Sequence, residues 1–422
     1  MKTGSESSGS VVWFPKKQPQ IVPRPRIMLY SPGMIGLGHI RRNLSIARSL
    51  TESDMKPIIL LIAENREASA FAMPQGVDCV TLPALRKELD GNAFPRYLDI
   101  GFQELIKIRS GIIQTAVKEF QPDIFIVDHL ARGAFNELDP TLKRLRRNDN
   151  TICVLGIRDI IGDPEKVRSE WRKFSTLEWI QKFYDIVFVY GDPRICDVAD
   201  VYGLALSGSR KLCYTGYLDR STRLARAIEE NHDPYPGLRL PPGKLCLCLV
   251  GGGQDGARLA ETFGRARLPA NTNGIVVTGP YMAEASLTRL KKLASSKDRL
   301  RILQFVEEPI LLVNRADLVI AMGGYNTVCE ILSFGKASLI VPRVKKAPEQ
   351  ALRAMRLESL RLIEHIPTEE LTPKKLTHWL HQTHPKSIPA REVIDLNGLE
   401  RIPVLLQDLL ASRSQVGVRI NT

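Results

Sequence analysis

The 422-residue chain has few aromatic residues, 6%, and no long apolar run. A helix needs about 18 consecutive apolar residues to span a bilayer. The longest runs here, Pro57–Ala63, Leu245–Val250 and Leu318–Met322, have the length of buried strands. The seven cysteines are odd in number, scattered through apolar segments and contain no Cys-x-x-Cys pair. They read as reduced core thiols of a cytoplasmic protein rather than a disulfide framework. Asp-x-Asp is absent, and no His, Asp or Glu cluster has metal-ligand spacing. No metal or other cofactor is expected. Acid is short of base: 46 Asp and Glu face 59 Lys and Arg, a net charge of +13. Such a surface favours polyanions. No zinc-finger, RNP-like or basic-zipper pattern accompanies it, so nucleic acid is not expected, and anionic lipid or phosphorylated ligands are. The short patch Val11–Phe14 does not make a secretory signal.

The chain is rich in strand–loop–helix alternation. Residues 1–22, with Ser, Gly, Lys, Gln and Pro, read as a flexible tail. Apolar runs at Ile27–Ser31, Pro57–Ala63, Ile124–Val127, Ile152–Ile157 and Ile186–Tyr190 alternate with helical stretches such as Arg42–Leu50 and Ile106–Phe120. Continuous apolar strands separated by helices imply a parallel sheet covered on both faces. Prolines at 234, 236, 241 and 242 then interrupt the pattern. It restarts with strands at Leu245–Val250, Gly274–Thr278, Leu300–Phe305, Leu318–Met322 and Ser338–Val341, and ends in a helix at Gly398–Ser412. The reading is α/β: an N-terminal domain over 23–220, a linker over 221–243 and a C-terminal domain over 244–422. Both domains are doubly wound, and ligands of such sheets bind at the carboxyl ends of the strands. The default site is the cleft between them.

Four loops carry chemistry. Ser31–His39 follows the first strand and opens a helix, so its amides, with Gly36 and Gly38, can bind a polar substrate. His39 at the helix start is either a cap or a general base. Gly251–Gly256 matches Gly-x-Gly-x-x-Gly, but no acidic residue ends the following strand, which argues against a dinucleotide. A phosphate- or sugar-contacting turn with Gly252, Gly253 and Gln254 fits better. After Leu318–Met322, Gly323 and Gly324 allow close approach of a ligand. Asn326 or Thr327 can cap a helix facing a diphosphate, and Glu330 can accept two hydrogen bonds from a ribose diol. Arg343 can neutralise phosphate, and Glu349 and Gln350 can read sugar hydroxyls. Lys345 and Lys346 read as solvated charge. Asp128 and His129, after Ile124–Val127, are further base candidates, as is Asp159.

Together, GMIGLGHIRRNLSIARSL, GGGQDGAR, ADLVIAMGGYNTVCEILSFGKASLIVPR and PEQALRA resemble the metal-independent GT-B glycosyltransferases of family 28, most strongly from Leu245 to Leu357. The resemblance implies two Rossmann-like domains facing a cleft. It implies inverting transfer of a hexose or N-acetylhexosamine from a nucleotide sugar, UDP-linked by expectation, to the hydroxyl of a lipid-linked or other cell-envelope glycan acceptor. It makes Glu330 the ribose acid, and Gly323, Gly324 and Thr327 the turn under the diphosphate. Glu349 and Gln350 become the sugar-reading pair, Phe305 and Val306 the nucleobase contact, and His39 the residue that activates the acceptor. Gly36, Gly38 and Arg42 fall on the acceptor side. With the basic surface, the resemblance suggests a peripheral protein of the inner membrane face. The other readings are a UDP-sugar 2-epimerase of the same fold and a non-catalytic nucleotide-sugar-binding subunit.

Overall fold

The computed structural model describes residues 24–33, 38–64, 72–87, 93–206, 211–230, 233–343, 348–384 and 388–420. Lys345, Lys346, the loop glycine Gly36 and the expected tail over residues 1–22 lie outside them.

The N-terminal sheet has seven strands: β1 (Arg26–Ser31), β2 (Ile58–Ala63), β3 (Val77–Thr81), β6 (Ile124–Asp128), β7 (Ile152–Arg158), β8 (Ile186–Tyr190) and β9 (Lys211–Tyr214). A two-stranded hairpin of β4 (Leu85–Lys87) and β5 (Ala93–Pro95) stands apart from it. The sheet order is β3-β2-β1-β6-β7-β8-β9, every pair parallel. The C-terminal sheet has β10 (Lys244–Leu249), β11 (Thr272–Val277), β12 (Leu300–Leu303), β13 (Leu318–Ala321), β14 (Ala337–Ile340) and β15 (Glu364–His365) in the order β12-β11-β10-β13-β14-β15, again parallel. Both sheets are doubly wound, as the alternation implies.

The central strands are buried on both faces, which is why they read as unbroken apolar runs: β6 and β8 are buried at every position. The sheet edges are different. β3, with VDCVT, is half exposed along its length, so it lacks that signature and the sequence pattern passes over it. Strand β5 of the hairpin and β9 share this property.

The end of the chain crosses back. Beyond residue 390 it packs on the N-terminal domain: Asp395 N donates to Asp192 Oδ2 at 2.7 Å, Tyr217 N to Asp395 O at 2.8 Å, and Arg401 to Thr215 O at 2.6 Å. The last helix, Gly398–Ile420, outruns the expected Gly398–Ser412 and lies along the first helix, Gly38–Glu52. Pro403 within it has no N–H for Leu399 O. Ser49 Oγ on the first helix donates to that carbonyl instead, so the proline's missing bond is made between the two helices.

Candidate active site

In a doubly wound sheet the strand order reverses at one point, and the loops leaving the two strands there diverge to form a crevice. In the N-terminal sheet that point lies between β1 and β6, in the C-terminal sheet between β10 and β13. The two crevices face each other across a cavity of about 280 Å³. The first helix brings Gly38, His39, Arg41 and Arg42 to one wall. The loops after β10 and β13 bring Gly252, Gln254, Gly324, Thr327 and Glu330 to the other. Cross-cleft bonds join the walls: Asn326 Nδ2 donates to Gly38 O at 2.8 Å, and Arg41 donates to Val306 O at 3.0 Å. Deeper, Arg353 of the C-terminal domain forms a fully buried pair with Asp159 at 2.7 Å, and Tyr217 donates to the same carboxylate at 2.5 Å.

The N-terminal wall is a charge network. Asp128, at the end of β6, is completely buried. Arg42 forks onto both its oxygens at 2.8 and 2.7 Å, Asn43 Nδ2 adds a bond at 3.2 Å, and His39 Nδ1 lies 2.7 Å from Oδ2. Burial works to raise the Asp128 carboxyl, but Arg42 and His39 outweigh it and hold it well below the usual carboxylate range. Asp128 is therefore ionised and can only accept. The proton between the two residues sits on His39 Nδ1, which leaves Nε2 carrying the ring's lone pair. The 2.9 Å approach of Arg42 to His39 Nδ1 then brings two donors together because both converge on one carboxylate. Burial pushes the His39 imidazole below its ordinary value, with Asp128 pulling the other way, so the ring is neutral at pH 7. A neutral imidazole with an oriented tautomer at the cleft surface is equipped to take a proton.

The other N-terminal candidates stand behind this pair. His129 adopts a left-handed backbone, φ 68°, with its N–H donating to Gly156 O at 2.7 Å. Its ring centroid lies 5.4 Å from that of His39, and burial, then Arg158, push its imidazole well below the ordinary value. Asp128 orients and Arg42 anchors: the guanidinium expected to face an acceptor is engaged on Asp128. Asp159, bound to Arg353 and Tyr217, is placed to brace the two domains.

The C-terminal wall is built mainly of backbone. After β13, Gly323 turns at φ 79°, where an added Cβ would come within 2.7 Å of Ile340 Cγ2. The turn releases Gly324 to start the helix Tyr325–Phe334, whose first amides open toward the cavity. Gly253 plays a similar part behind the other loop: at φ 97°, an added Cβ would meet Thr278 O at 2.3 Å. Both glycines shape the wall from behind, whereas Gly252, Gln254 and Gly324 line it. Glu330, 6% exposed, reaches the cavity one turn into its helix. Burial pushes its carboxyl up to about 7, against the pull of Arg220 and Arg41. Phe305 is exposed at the rim with Arg41 lying 5.9 Å from its ring centroid. Arg343 pairs with Asp255 at 3.5 Å, and its backbone N–H donates to Gln350 Oε1 at 3.2 Å. Gln350 is thereby fixed beside Glu349 at the start of helix Pro348–Ser359. Among the described residues no group of three His, Cys, Asp or Glu is arranged to hold a metal ion.

The cleft thus gathers described residues from seven separate segments of the chain. Arg41, Arg158, Tyr325 and Asn326 also line it. The sequence shows Arg41 only as half of a basic pair and Arg158 only as a strand end. Neither belongs to a glycine loop, the one local signal available.

Residues 247–392 match the family model of the glycosyltransferase family 28 C-terminal domain. A UDP-N-acetylglucosamine–N-acetylmuramyl-(pentapeptide) pyrophosphoryl-undecaprenol N-acetylglucosamine transferase of Haemophilus influenzae is 27% identical over 150 residues, 35% of this chain and 42% of that protein. An uncharacterized glycosyltransferase of Methanopyrus kandleri is 26% identical over 166 residues, 38% of this chain and 48% of its own length. The match thus spans less than half of each relative. The likeness in fold is wider. The MurG structure of Acinetobacter baumannii superposes with a TM-score of 0.57 at 15% identity, covering 92% of this chain and 100% of that one. A UDP-glucose: anthocyanidin 3-O-glucosyltransferase in complex with UDP gives a TM-score of 0.54 at 12% identity, over 92% of this chain and 95% of that one. Residues 247–392 therefore resemble the glycosyltransferase family 28 C-terminal domain, and the chain as a whole shares the two-domain fold of these glycosyltransferase structures.

Proposed function

We propose that the protein transfers a hexose or N-acetylhexosamine from a nucleoside diphosphate sugar, UDP-linked in the first instance, to a hydroxyl of a lipid-linked or cell-envelope glycan acceptor, with inversion and without a metal. The observation that carries this reading is the opposition, across one cavity, of an oriented neutral histidine and a glycine turn leading into a helix with a buried glutamate. On the C-terminal wall, Glu330 holds the ribose diol, the N-terminus of helix Tyr325–Phe334 and Arg343 take the diphosphate, and Glu349 and Gln350 read the sugar. Phe305 and Val306 lie where the base would rest. On the N-terminal wall, His39 Nε2 removes the acceptor proton, and Asp128 stabilises the imidazolium that forms. The acceptor oxygen attacks the anomeric carbon as its bond to the diphosphate breaks. Helix amides and Arg343 stabilise the departing charge, the part a metal plays elsewhere.

Two further features favour a lipid-linked acceptor at a membrane face. One of the two curated relatives named above is a pyrophosphoryl-undecaprenol N-acetylglucosamine transferase. The N-terminal domain also exposes Phe94, Tyr97, Leu98, Ile108 and Phe135, with Arg86 and Arg96 lying over the rings of Phe94 and Tyr97 at 5.7 and 5.5 Å. Exposed apolar side chains rimmed by cations suit an anionic lipid surface. No helix among the described residues is long and apolar enough to cross a membrane.

Calorimetric titration with UDP, dTDP and GDP and their sugars tests the donor half. Selective binding of one nucleotide, weakened in Glu330→Gln, is expected. Binding of none would overturn the reading.

A further inference from the structure

Three arginines converge near the base: Arg42, Arg353 and Arg158. Two have a carboxylate of their own, Asp128 for Arg42 and Asp159 for Arg353, both at 2.7 Å. Arg158, at the end of β7, has none within ion-pair distance among the described residues, and its buried Nε has no hydrogen-bond partner there. Burial, then Arg42 and Arg353, push its guanidinium down to about 10, against the pull of Glu349 across the cleft. Arg158 is half-buried on the cavity wall, and a guanidinium held there with a buried, unsatisfied Nε and no counter-charge is costly. A site that keeps one is arranged for an anion that arrives with a ligand.

The position says which ligand. The diphosphate of the proposed donor is served from the C-terminal wall, by the helix at Tyr325 and by Arg343. Arg158 belongs to the N-terminal sheet, on the strand beside β6. Asp128 pairs in register with Gly156, which places Arg158 two residues further toward the cleft. Its charge reaches both His39 and His129, and it lines the same cavity as His39. We propose that Arg158 docks an anionic group of the acceptor, a phosphate or carboxylate, beside the hydroxyl that His39 deprotonates. This rests on the donor assignment above, and makes Arg158 a specificity residue that selects acidic acceptors.

Inorganic pyrophosphate is the probe. It is titrated calorimetrically into protein saturated with UDP, for wild type, Arg158→Gln and Arg158→Lys. The wild type is expected to bind a pyrophosphate alongside UDP. Arg158→Gln should weaken that binding by about tenfold or more, the scale of a charge-assisted contact, with Arg158→Lys retaining most of it. UDP affinity should be the same in all three. Because Arg158 has no carboxylate within ion-pair distance to orphan among the described residues, neither variant should melt below the wild type. Three results overturn the proposal: no pyrophosphate binding to UDP-saturated wild type, undiminished binding by Arg158→Gln, or loss of UDP binding in Arg158→Gln, which would give Arg158 to the donor diphosphate. Absence of UDP binding to the wild type is a separate result, and it overturns the donor assignment and this proposal together.

Discussion

The two walls of the cleft solve opposite problems. On the N-terminal wall the base is finished before any ligand arrives: Asp128 takes up Arg42, Asn43 and His39, and the histidine's tautomer is set, with Arg158 beside it left for the acceptor. The C-terminal wall is finished as backbone but open as chemistry. Its glycine turns leave no room for a side chain, since a Cβ added at Gly323 would come within 2.7 Å of Ile340 Cγ2, yet Glu330 sits buried with its carboxyl pushed up to about 7. A base must be pre-oriented, because proton transfer depends on which nitrogen faces the substrate. A binding wall can leave its acid unmatched, because the incoming diol supplies the missing hydrogen bonds.

The largest effect that would separate the walls is expected from His39→Ala. Turnover should fall by about 10²–10⁴-fold, the contribution of a positioned general base, with nucleotide affinity unchanged. Equal loss of binding and turnover would break the division. Asp128→Asn keeps the shape but can donate to Nδ1, so it should trap the wrong tautomer and lower kcat by about 10²-fold or more with little change in KM for the donor. Asp128→Ala goes further. It strands Arg42, and denaturant unfolding should show a loss of about 3–5 kcal/mol.

Glu330 gives the pH signature of the other wall. A carboxyl raised in the fold favours its neutral form, so its contribution to stability is fully present below about pH 4.5 and is lost as pH rises through about 7. The nucleotide-free Glu330→Gln variant should match the wild type at pH 4 and exceed it at pH 8, by up to about 3 kcal/mol, in unfolding measured at the two pH values. Nucleotide affinity should move the other way, rising from pH 6 to 8 in the wild type and staying flat in the variant. The smallest effect tests the backbone. Gly323→Ala forces a side chain into left-handed φ against Ile340, and a loss of about 1–3 kcal/mol is expected, together with weaker nucleotide binding.

The difference between the walls also explains what could be read from the sequence. The donor wall is local. GGGQDGAR and AMGGYNTVCE each follow a buried strand and open a helix, so glycine spacing and apolar runs mark it without any long-range information. The base wall is not local. His39 is conspicuous at a helix start, but its partner lies 89 positions away, and nothing in the sequence around Asp128 says that Arg42 will meet it. The brace between Asp159 and Arg353 spans 194 positions and is equally invisible. The central strands were legible because burial on both faces leaves a continuous apolar run. The edge strands β3 and β9 were not, because half exposure erases it. The return of the last helix to the first depends on a tertiary match between Ser49 and the carbonyl that Pro403 cannot serve.

The most direct measurement titrates UDP into three proteins: wild type, His39→Ala and Glu330→Gln. The account predicts equal affinity for wild type and His39→Ala, and affinity weaker by about tenfold or more for Glu330→Gln at pH 8, the scale of two hydrogen bonds to a charged acceptor. Equal affinity in all three, or a loss in His39→Ala as large as in Glu330→Gln, would contradict the assignment of nucleotide binding to one wall and proton abstraction to the other.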